Sequence, residues 1–319
     1  MSGTHERKFF DSAVTVSALV GDEDNGIAVR ILKLVAVVTA VCLVLSSVLI
    51  GNFLSKGSKN AELLSSFTQI FERSSNGSTK DVVKELKAVN PDSVGWLYVP
   101  NSRINLPVLQ GSDDRFYINH NYIGEKSRYG AVFLSSGDKL SPKDADKNLV
   151  IYGNNMSDGQ MFGTLKKYRN VNYYKKNAGF YFYNEYARDT YAICAVMVLD
   201  SAGEKDFDVT KSHFADSVEF YDWYKGVQSR SLIDTGINAY YGDKFITLVA
   251  PADDFDGARL AVLARCIPNM DTNSINTTDA VANGDVRYPE KWYKARGIEP
   301  TKKTDNDRKE EQNASEPES

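Results

Sequence analysis

The stretch that decides the fold is Phe245-Ile-Thr-Leu-Val-Ala-Pro251-Ala-Asp-Asp-Phe-Asp-Gly-Ala-Arg259-Leu-Ala-Val-Leu-Ala-Arg265. Two apolar runs, Phe245–Val249 and Arg259–Arg265, flank a short acidic loop, which predicts a hairpin of two strands. The loop lacks the full ligand spacing of a calcium-binding loop, so we interpret it as a solvated turn. Its carboxylates belong to Asp253, Asp254 and Asp256.

Further short strands are predicted along the chain. Leu149–Tyr152 opens a second informative stretch, Asn148-Leu-Val-Ile-Tyr-Gly-Asn154-Asn-Met-Ser-Asp-Gly-Gln-Met-Phe-Gly-Thr-Leu165. Many short strands separated by turn residues predict a mainly β fold with a closed or nearly closed barrel. The other strand candidates are Val94–Val99, Ile104–Leu109, Ala131–Leu134, Gly179–Tyr183 and Asp189–Leu199.

Helical patterns occur before the barrel and again before its last two strands. Apolar residues at helical spacing predict a helix over residues 63–71. The pattern Ser78-x-x-Asp81 resembles a capping box and predicts a second helix that begins there. Apolar spacing from Phe214 to Tyr224 predicts a third helix ahead of the final hairpin.

Both quoted stretches resemble the active-site segments of class B sortases, the membrane-anchored cysteine transpeptidases of Gram-positive bacteria. The family motif Tyr-Gly-His-Asn-Met corresponds to residues 152–156, where Asn154 stands at the position of the catalytic His. The family motif Thr-Leu-x-Thr-Cys corresponds to residues 247–251, where Pro251 stands at the position of the nucleophile. The catalytic Arg, which opens the next strand, corresponds to Arg259.

The resemblance covers about residues 60–298 and implies a sortase-type closed β-barrel. It also implies two helices on the N-terminal side, a helix before the last two strands, and a meeting of Asn154, Pro251 and Arg259 at one end of the barrel. The matching segments outside the site are Asn90–Trp96, Leu106–Gln110, Phe116–Asn121, Gly130–Leu134, Gly242–Lys244 and Tyr288–Tyr293.

The residues at the two altered positions cannot perform the family's chemistry. A thiolate is the nucleophile in such reactions, and Pro251 supplies neither a thiol nor a backbone N–H for an oxyanion hole. Asn154 does not titrate near neutral pH, so it cannot protonate a leaving amine, and we interpret it as support for its own loop. Arg259 has two interpretations, a ligand for a substrate carbonyl or an ion pair with the acidic loop.

Other side chains are not predicted to replace the missing groups. Cys42 lies in an apolar N-terminal run, Cys194 lies in a stretch typical of a core, and Cys266 follows the last strand. Among the histidines, His120 is interpreted as structural. Neither of the other histidines, His5 and His213, matches the family position. Three tyrosines follow the first motif, and we interpret them as packing residues rather than as the lining of a peptide groove: Tyr168, Tyr173 and Tyr174.

Composition argues against several classes of function. The formal net charge of −4 and the lack of a basic stripe argue against nucleic-acid binding. No Cys-x-x-Cys and no paired histidines occur, so we expect no metal or other cofactor. Three scattered cysteines do not form a disulfide framework.

The run from Leu34 to Leu54 has no charged residue and is long enough to cross a bilayer. No convincing cleavage site follows, which favours an uncleaved signal-anchor. We expect a single-pass protein of the cell membrane, and its orientation, with the N-terminus in the cytoplasm, rests on the resemblance. The expected divisions are a cytoplasmic tail (1–28), a transmembrane helix (29–54), an extracellular sortase-like domain (55–298) and a disordered polar tail (299–319).

Three functions are compatible with these observations. The first is a pseudoenzyme that binds a sorting-signal peptide, a pilin-like surface protein or an active sortase without performing transpeptidation. The second is an active cysteine transpeptidase that attaches surface proteins to peptidoglycan or pili. The third is a structural cell-envelope protein without a peptide groove. The residues at positions 154 and 251 favour the first over the second.

Overall fold

The structure is a computed structural model that describes residues 22–74, 78–141, 145–203 and 207–299. The chain divides into two units, Met1–Asn60 and Ala61–Ser319. Residues 1–21 of the expected cytoplasmic tail lie outside the described residues. Residues 22–28 of that tail are helical, because the first helix begins at Asp22. Residues 300–319 of the expected polar tail also lie outside the described residues.

Helix α1 spans Asp22–Ser74 and includes the apolar run. Large apolar side chains of this run are exposed, among them Leu34 at 65% and Leu49 at 69%. The helix is long and apolar enough to cross a membrane. The helical segment predicted over residues 63–71 lies in this same helix, which continues past Gly57 because a single glycine costs only about 1 kcal/mol in a helix.

The second unit contains the closed eight-stranded barrel that the sequence predicts. Around the barrel the strands follow the order β1-β2-β3-β4-β8-β9-β6-β5, and β7 pairs with β10 in a separate two-stranded sheet. The pairs β2–β3 and β4–β8 are parallel, and the other pairs are antiparallel. The strands are β1 (Ser93–Tyr98), β2 (Asn105–Leu109), β3 (Phe133–Leu134), β4 (Asn148–Tyr152), β5 (Gly179–Asn184), β6 (Arg188–Asp200), β7 (Ile233–Asp234), β8 (Phe245–Pro251), β9 (Ala258–Cys266) and β10 (Val281–Ala282).

Four further α-helices accompany the barrel in the part of the chain that the structure describes. The predicted capping box is confirmed: the Ser78 hydroxyl accepts from the backbone N–H of Asp81, and the Asp81 carboxylate accepts from the backbone N–H of Ser78. The predicted helix before the last two strands is also present, although it begins at Ser217 rather than near Phe214. The helices are α2 (Thr79–Val89), α3 (Val171–Lys176), α4 (Ser217–Arg230) and α5 (Glu290–Arg296).

Alternating side chains on the strands build two cores, one on each face of the sheet. Leu248 and Ala250 of β8 lie in the core inside the barrel. Val249 of the same strand and Ala261 of β9 lie in a second core on the outer face, which α4 covers with Phe220. This alternation decides which face each side chain near the strand ends occupies.

The C-terminal helix α5 is attached to the loop between β8 and β9 through one carboxylate. Asp254 accepts hydrogen bonds from both terminal nitrogens of Arg169, at 2.9 and 2.5 Å, and lies 3.5 Å from Arg296 of α5. Its side chain is only 6% exposed. The Arg296 guanidinium stacks on Trp292 at 4.0 Å, and Trp292 stacks on Tyr288 at 3.8 Å. Asp254 therefore joins three segments that are distant in sequence.

Replacement of Asp254 by Asn should destabilise this end of the barrel. Hydrogen bonds from Arg169, together with the charges of Arg169 and Arg296, hold the pKa of Asp254 below its usual value of 3.8 against the opposing effect of burial. Loss of the charged hydrogen bonds should lower the free energy of unfolding by about 2 kcal/mol at pH 7. Because a lowered carboxylate pKa stabilises the fold only above that pKa, this difference should shrink as the pH falls below about 4.

The measurement is urea denaturation of the full-length protein in non-ionic detergent at pH 7 and pH 3. The matched control is Asp256→Asn in the same loop, where the carboxylate is exposed and forms no ion pair with any described residue. An equal loss of stability in both variants, or an undiminished difference at pH 3, would contradict the role of Asp254.

Candidate functional site

The parallel pairing of β4 and β8 positions the first two site residues. Tyr152 is paired with Val249, and the backbone N–H of Gly153 donates to the carbonyl of Val249 at 3.1 Å. Asn154 lies two residues beyond Tyr152, and Pro251 lies two residues beyond Val249. Both residues therefore follow the last β4–β8 pair, at the same end of these two parallel strands.

The antiparallel pairing of β8 and β9 positions the third residue. Pro251 is the direct cross-strand partner of Arg259. In such a pair the Cβ atoms lie about 4.5–5.5 Å apart on the same face of the sheet. Val249 and Ala261, each two residues away along its strand, belong to the outer core, so Pro251 and Arg259 also lie on the outer face. All three predicted site residues therefore gather at one end of the barrel.

Asn154 supports the loop that runs over this end of the sheet. Its amide nitrogen lies 2.8 Å from the carbonyl of Ile118, 3.2 Å from that of Tyr129 and 3.4 Å from that of Arg128. Gly130 permits this approach: with φ of +61°, it would place a Cβ 2.9 Å from the Asn154 amide nitrogen and closer still to two carbonyls. The amide is thus a donor that ties the chain before β3 to the end of β4.

Pro251 ends β8 where the pairing with β4 has already stopped. The last β4–β8 pair is Tyr152 with Val249, and Pro251 has no N–H to extend that ladder. On the other side, the N–H of Ala252 donates to the carbonyl of Ala258 at 3.0 Å and closes the hairpin. Proline at a strand end therefore costs the sheet little. The residue is exposed and presents no nucleophilic atom.

A cavity of about 310 Å³ opens beside Pro251 at the mouth of the barrel. Phe162 and Leu165 contribute apolar surface to it, and Arg169 and Arg296 contribute charge. Both arginines are paired with Asp254, whose single carboxylate compensates one of these two positive charges.

One of the two interpretations of Arg259 was an ion pair with the acidic loop, and the structure does not contain this ion pair. No carboxylate of the described residues lies within 4 Å of its guanidinium, whereas Arg169 and Arg296 pair with Asp254. Its Nη1 donates to the carbonyl of Ala258 at 3.0 Å. A guanidinium has five N–H donors, so most of those of Arg259 remain available to a ligand.

The surroundings of Tyr152 are acidic apart from Arg259. Burial, assisted by the charges of three nearby carboxylates, raises the pKa of the Tyr152 phenol to about 12, while Arg259 opposes this rise. Burial also raises the pKa of one of these carboxylates, Asp138, to about 6, although it accepts a hydrogen bond from a backbone N–H of β4. The other two carboxylates belong to Asp114 and Asp208.

Neither cysteine of the second unit can serve as a thiolate nucleophile at this site. Cys194 is buried, its Sγ lies 3.5 Å from the carbonyl of Leu263, and burial raises its pKa to about 12. Cys266 lies at the opposite end of the barrel, where its N–H donates to the carbonyl of Lys244, and burial raises its pKa to about 11. The remaining cysteine, Cys42, lies in the apolar part of α1.

The histidines of the second unit make local contacts. His120 stacks on Phe116 with 4.0 Å between ring centroids, and its Nδ1 lies 2.8 Å from the Phe116 carbonyl oxygen. His213 lies 3.2 Å from Asp146 on the exposed surface. His5 lies outside the described residues.

The predicted packing role of the tyrosines after the first motif is correct for two of them. Tyr168 and Tyr174 are buried, and each hydroxyl donates to a backbone carbonyl. Tyr173 is half-buried and stacks edge-on against Tyr168. Among the described residues, no group of three or more His, Cys, Asp or Glu side chains is arranged to hold a metal ion.

Sequence reasoning missed the residues that shape the barrel mouth around the site. Arg169 and Asp254 are 85 positions apart, and nothing in either local sequence indicates their pairing. Arg296 of α5 is equally remote. The one available signal is the resemblance of Tyr288–Tyr293 to a C-terminal segment of the family, which suggests that this segment belongs to the folded domain.

Comparison with known proteins relates the whole arrangement to one family. Sortase B of Listeria monocytogenes is 29% identical over 194 residues, which cover 60% of this chain and 76% of that protein. The X-ray structure of Clostridium perfringens sortase B is 34% identical, with a TM-score of 0.53 over 58% of this chain and 98% of that one. A Staphylococcus aureus sortase B–substrate complex shares the fold, with 22% identity and a TM-score of 0.59 over 68% and 98% of the two chains.

No protein-family model matches the chain. The closed barrel nevertheless agrees with the structural similarity to sortase B, which extends over 98% of the Clostridium perfringens chain. The chain belongs to the class B sortase family.

Proposed function

We propose that this protein is a membrane-anchored pseudo-sortase, which binds a sorting-signal peptide or a protein that carries one but does not cleave it. The observation that carries the proposal is Pro251, which ends β8 opposite Arg259 and at the same end of the barrel as Asn154. Pro251 can supply no thiolate, and Asn154 can supply no general acid. The partners we propose are a sorting-signal peptide, a pilin-like surface protein or an active sortase.

Two observations support retention of binding. The first is Arg259, whose guanidinium is on the outer face with most donors uncommitted, as recognition of a peptide carbonyl requires. The second is the similarity to the Staphylococcus aureus sortase B that was solved with a substrate. The exposed apolar run of α1 supports anchoring in a membrane. The proposed orientation, with the sortase-like unit outside the cell, rests on the resemblance to the family.

The full-length protein should not cleave sorting-signal peptides or transfer them to amines. Without a thiolate no acyl-enzyme forms, and without a general acid the leaving amine is not protonated, which alone contributes about 10² to 10⁴ in rate. The measurement is mass spectrometry after incubation with a panel of sorting-signal peptides and amine acceptors. Turnover that disappears in Cys194→Ser or Cys266→Ser would reject the pseudoenzyme and identify a nucleophile at another position.

Replacement of Arg259 by Gln should weaken binding of a sorting-signal peptide by about tenfold, since charged hydrogen bonds contribute roughly 1.5–3 kcal/mol. Fluorescence anisotropy with labelled peptides measures the affinity. The control is Lys225→Gln, which removes one positive charge from the exposed surface of α4. Equal affinities in the parent protein and in both variants would count against a peptide groove at Arg259.

Replacement of Asn154 by Ala should lower the free energy of unfolding by about 1–3 kcal/mol, because it leaves the carbonyls of Ile118 and Tyr129 without their donor. Thermal denaturation in detergent measures the change. The control is Asn172→Ala, whose exposed side chain has no hydrogen bond to any described residue. An unchanged stability would show that the amide is not structural and would favour a role in ligand binding instead.

A further inference from the structure

A second cavity lies on the side of the loop that follows β4, away from Pro251. Its volume is about 440 Å³. The chain between β1 and β2 forms one wall of it, and the loop after β4, which continues into the 3₁₀ helix Leu165–Arg169, forms the other. The wall residues with charged side chains are Arg103, Asp158, Lys166 and Lys167.

The three cations of this cavity have no carboxylate partner. No acidic side chain of the described residues lies within 4 Å of the charged groups of Arg103, Lys166 or Lys167. The single carboxylate in the wall, Asp158, is occupied by hydrogen bonds from the Tyr129 hydroxyl at 2.7 Å and from the backbone N–H of residue 160 at 3.0 Å. In a chain with a net charge of −4, this is a local surplus of positive charge.

The fold holds these cations toward the cavity. In the 3₁₀ helix, Leu165 and Tyr168 are fully buried and lie three residues apart, on one face. The two residues between them, Lys166 and Lys167, are consequently exposed. Arg103 is held in place by a hydrogen bond of 2.6 Å from its Nη1 to the backbone carbonyl of Asp158, which leaves its other N–H groups unused among the described residues.

Uncharged groups complete the wall. Ser157 brings a hydroxyl group, whereas the hydroxyl of Ser102 is already committed to two backbone groups. Thr164 is 5% exposed, and its hydroxyl has no hydrogen-bond partner among the described residues. Gly159 has a φ of +81°, and a Cβ built on it would lie 3.5 Å from the side chain of Arg103, so a larger residue at this position would narrow the cavity. A cavity with three cations, one occupied carboxylate and small neutral residues suits a small anion that also carries hydroxyl groups.

We propose that this cavity is a binding site for an organic phosphate, with the phosphate group at Arg103, Lys166 and Lys167 and a hydroxyl-bearing carbon chain against Ser157. Lysine and arginine both bind phosphate, lysine as a point charge and arginine through its fork of donors. Lys166 also lines the cavity beside Pro251, so an occupant would lie next to the candidate peptide site without sharing its other residues. This site is independent of the proposed peptide binding.

The experiment is isothermal titration of the full-length protein, in non-ionic detergent and a phosphate-free buffer, with glycerol 3-phosphate, inorganic phosphate and glycerol. Glycerol 3-phosphate should bind saturably and less tightly as salt increases, and glycerol should not bind. The double variant Lys166→Gln/Lys167→Gln should weaken binding at least about tenfold. The matched double variant Lys175→Gln/Lys176→Gln, which removes the same charge from exposed positions of α3, should change it less than about twofold.

A second measurement on the unaltered protein needs no variant. Acetylation of lysines, followed by mass spectrometry, should be slower at Lys166 and Lys167 when glycerol 3-phosphate is present, and unchanged at Lys175 and Lys176. Equal weakening by the two double variants, or equal protection of all four lysines, would show that the anion responds only to net charge and would overturn the site. Inorganic phosphate that binds as tightly as glycerol 3-phosphate would overturn the role of Ser157.

Discussion

The parallel register of β4 against β8 is the constraint on which the site depends. These strands are separated by nearly 100 residues of sequence, and a parallel pair cannot be joined by a tight turn. The intervening chain contains β5, β6 and α4 and returns to the sheet beside β4. Because five consecutive pairs from Asn148–Phe245 to Tyr152–Val249 fix this register, a slip of one residue would move the buried side chains to the wrong face. The ends of both strands are thereby held at the same level.

That constraint is independent of the groups needed for transpeptidation. The register is set by buried residues such as Leu149, Ile151 and Leu248, none of which takes part in chemistry. Pro251 occurs just where β8 has no more hydrogen bonds to give to β4, and the Asn154 amide serves as a hydrogen-bond donor to the neighbouring loop. The barrel can therefore keep its geometry without a thiol at position 251 and without an imidazole at position 154. A sortase scaffold without sortase chemistry is physically consistent.

Most of the barrel could be predicted from the sequence because its strands are short, apolar and bounded by turn residues. The predicted strand Phe245–Val249 matches β8 to within two residues, and Ser78-x-x-Asp81 gave the start of α2 correctly, since a capping box is a local signal. What local patterns could not provide was long-range pairing. The partner of Asp254 had to be chosen among many basic residues, and the sequence left an ion pair of the acidic loop with Arg259 as one of two open interpretations. The continuity of helix α1 was not predicted either, because apolar spacing identifies a helical segment but does not locate its ends.

The 3₁₀ helix Leu165–Arg169 connects the two cavities, and its short sequence explains how. Leu165 and Tyr168 anchor it in the core, so its three basic residues must point outward. Arg169 lies on the side of Asp254 and is neutralised there by a paired carboxylate, whereas Lys166 and Lys167 meet no carboxylate of the described residues. Paired charge stabilises the end of the barrel, and unpaired charge is available to a ligand. The difference between a structural and a binding cation in this helix is thus decided by which acidic residue the fold brings near, and no property of the basic residues themselves distinguishes them.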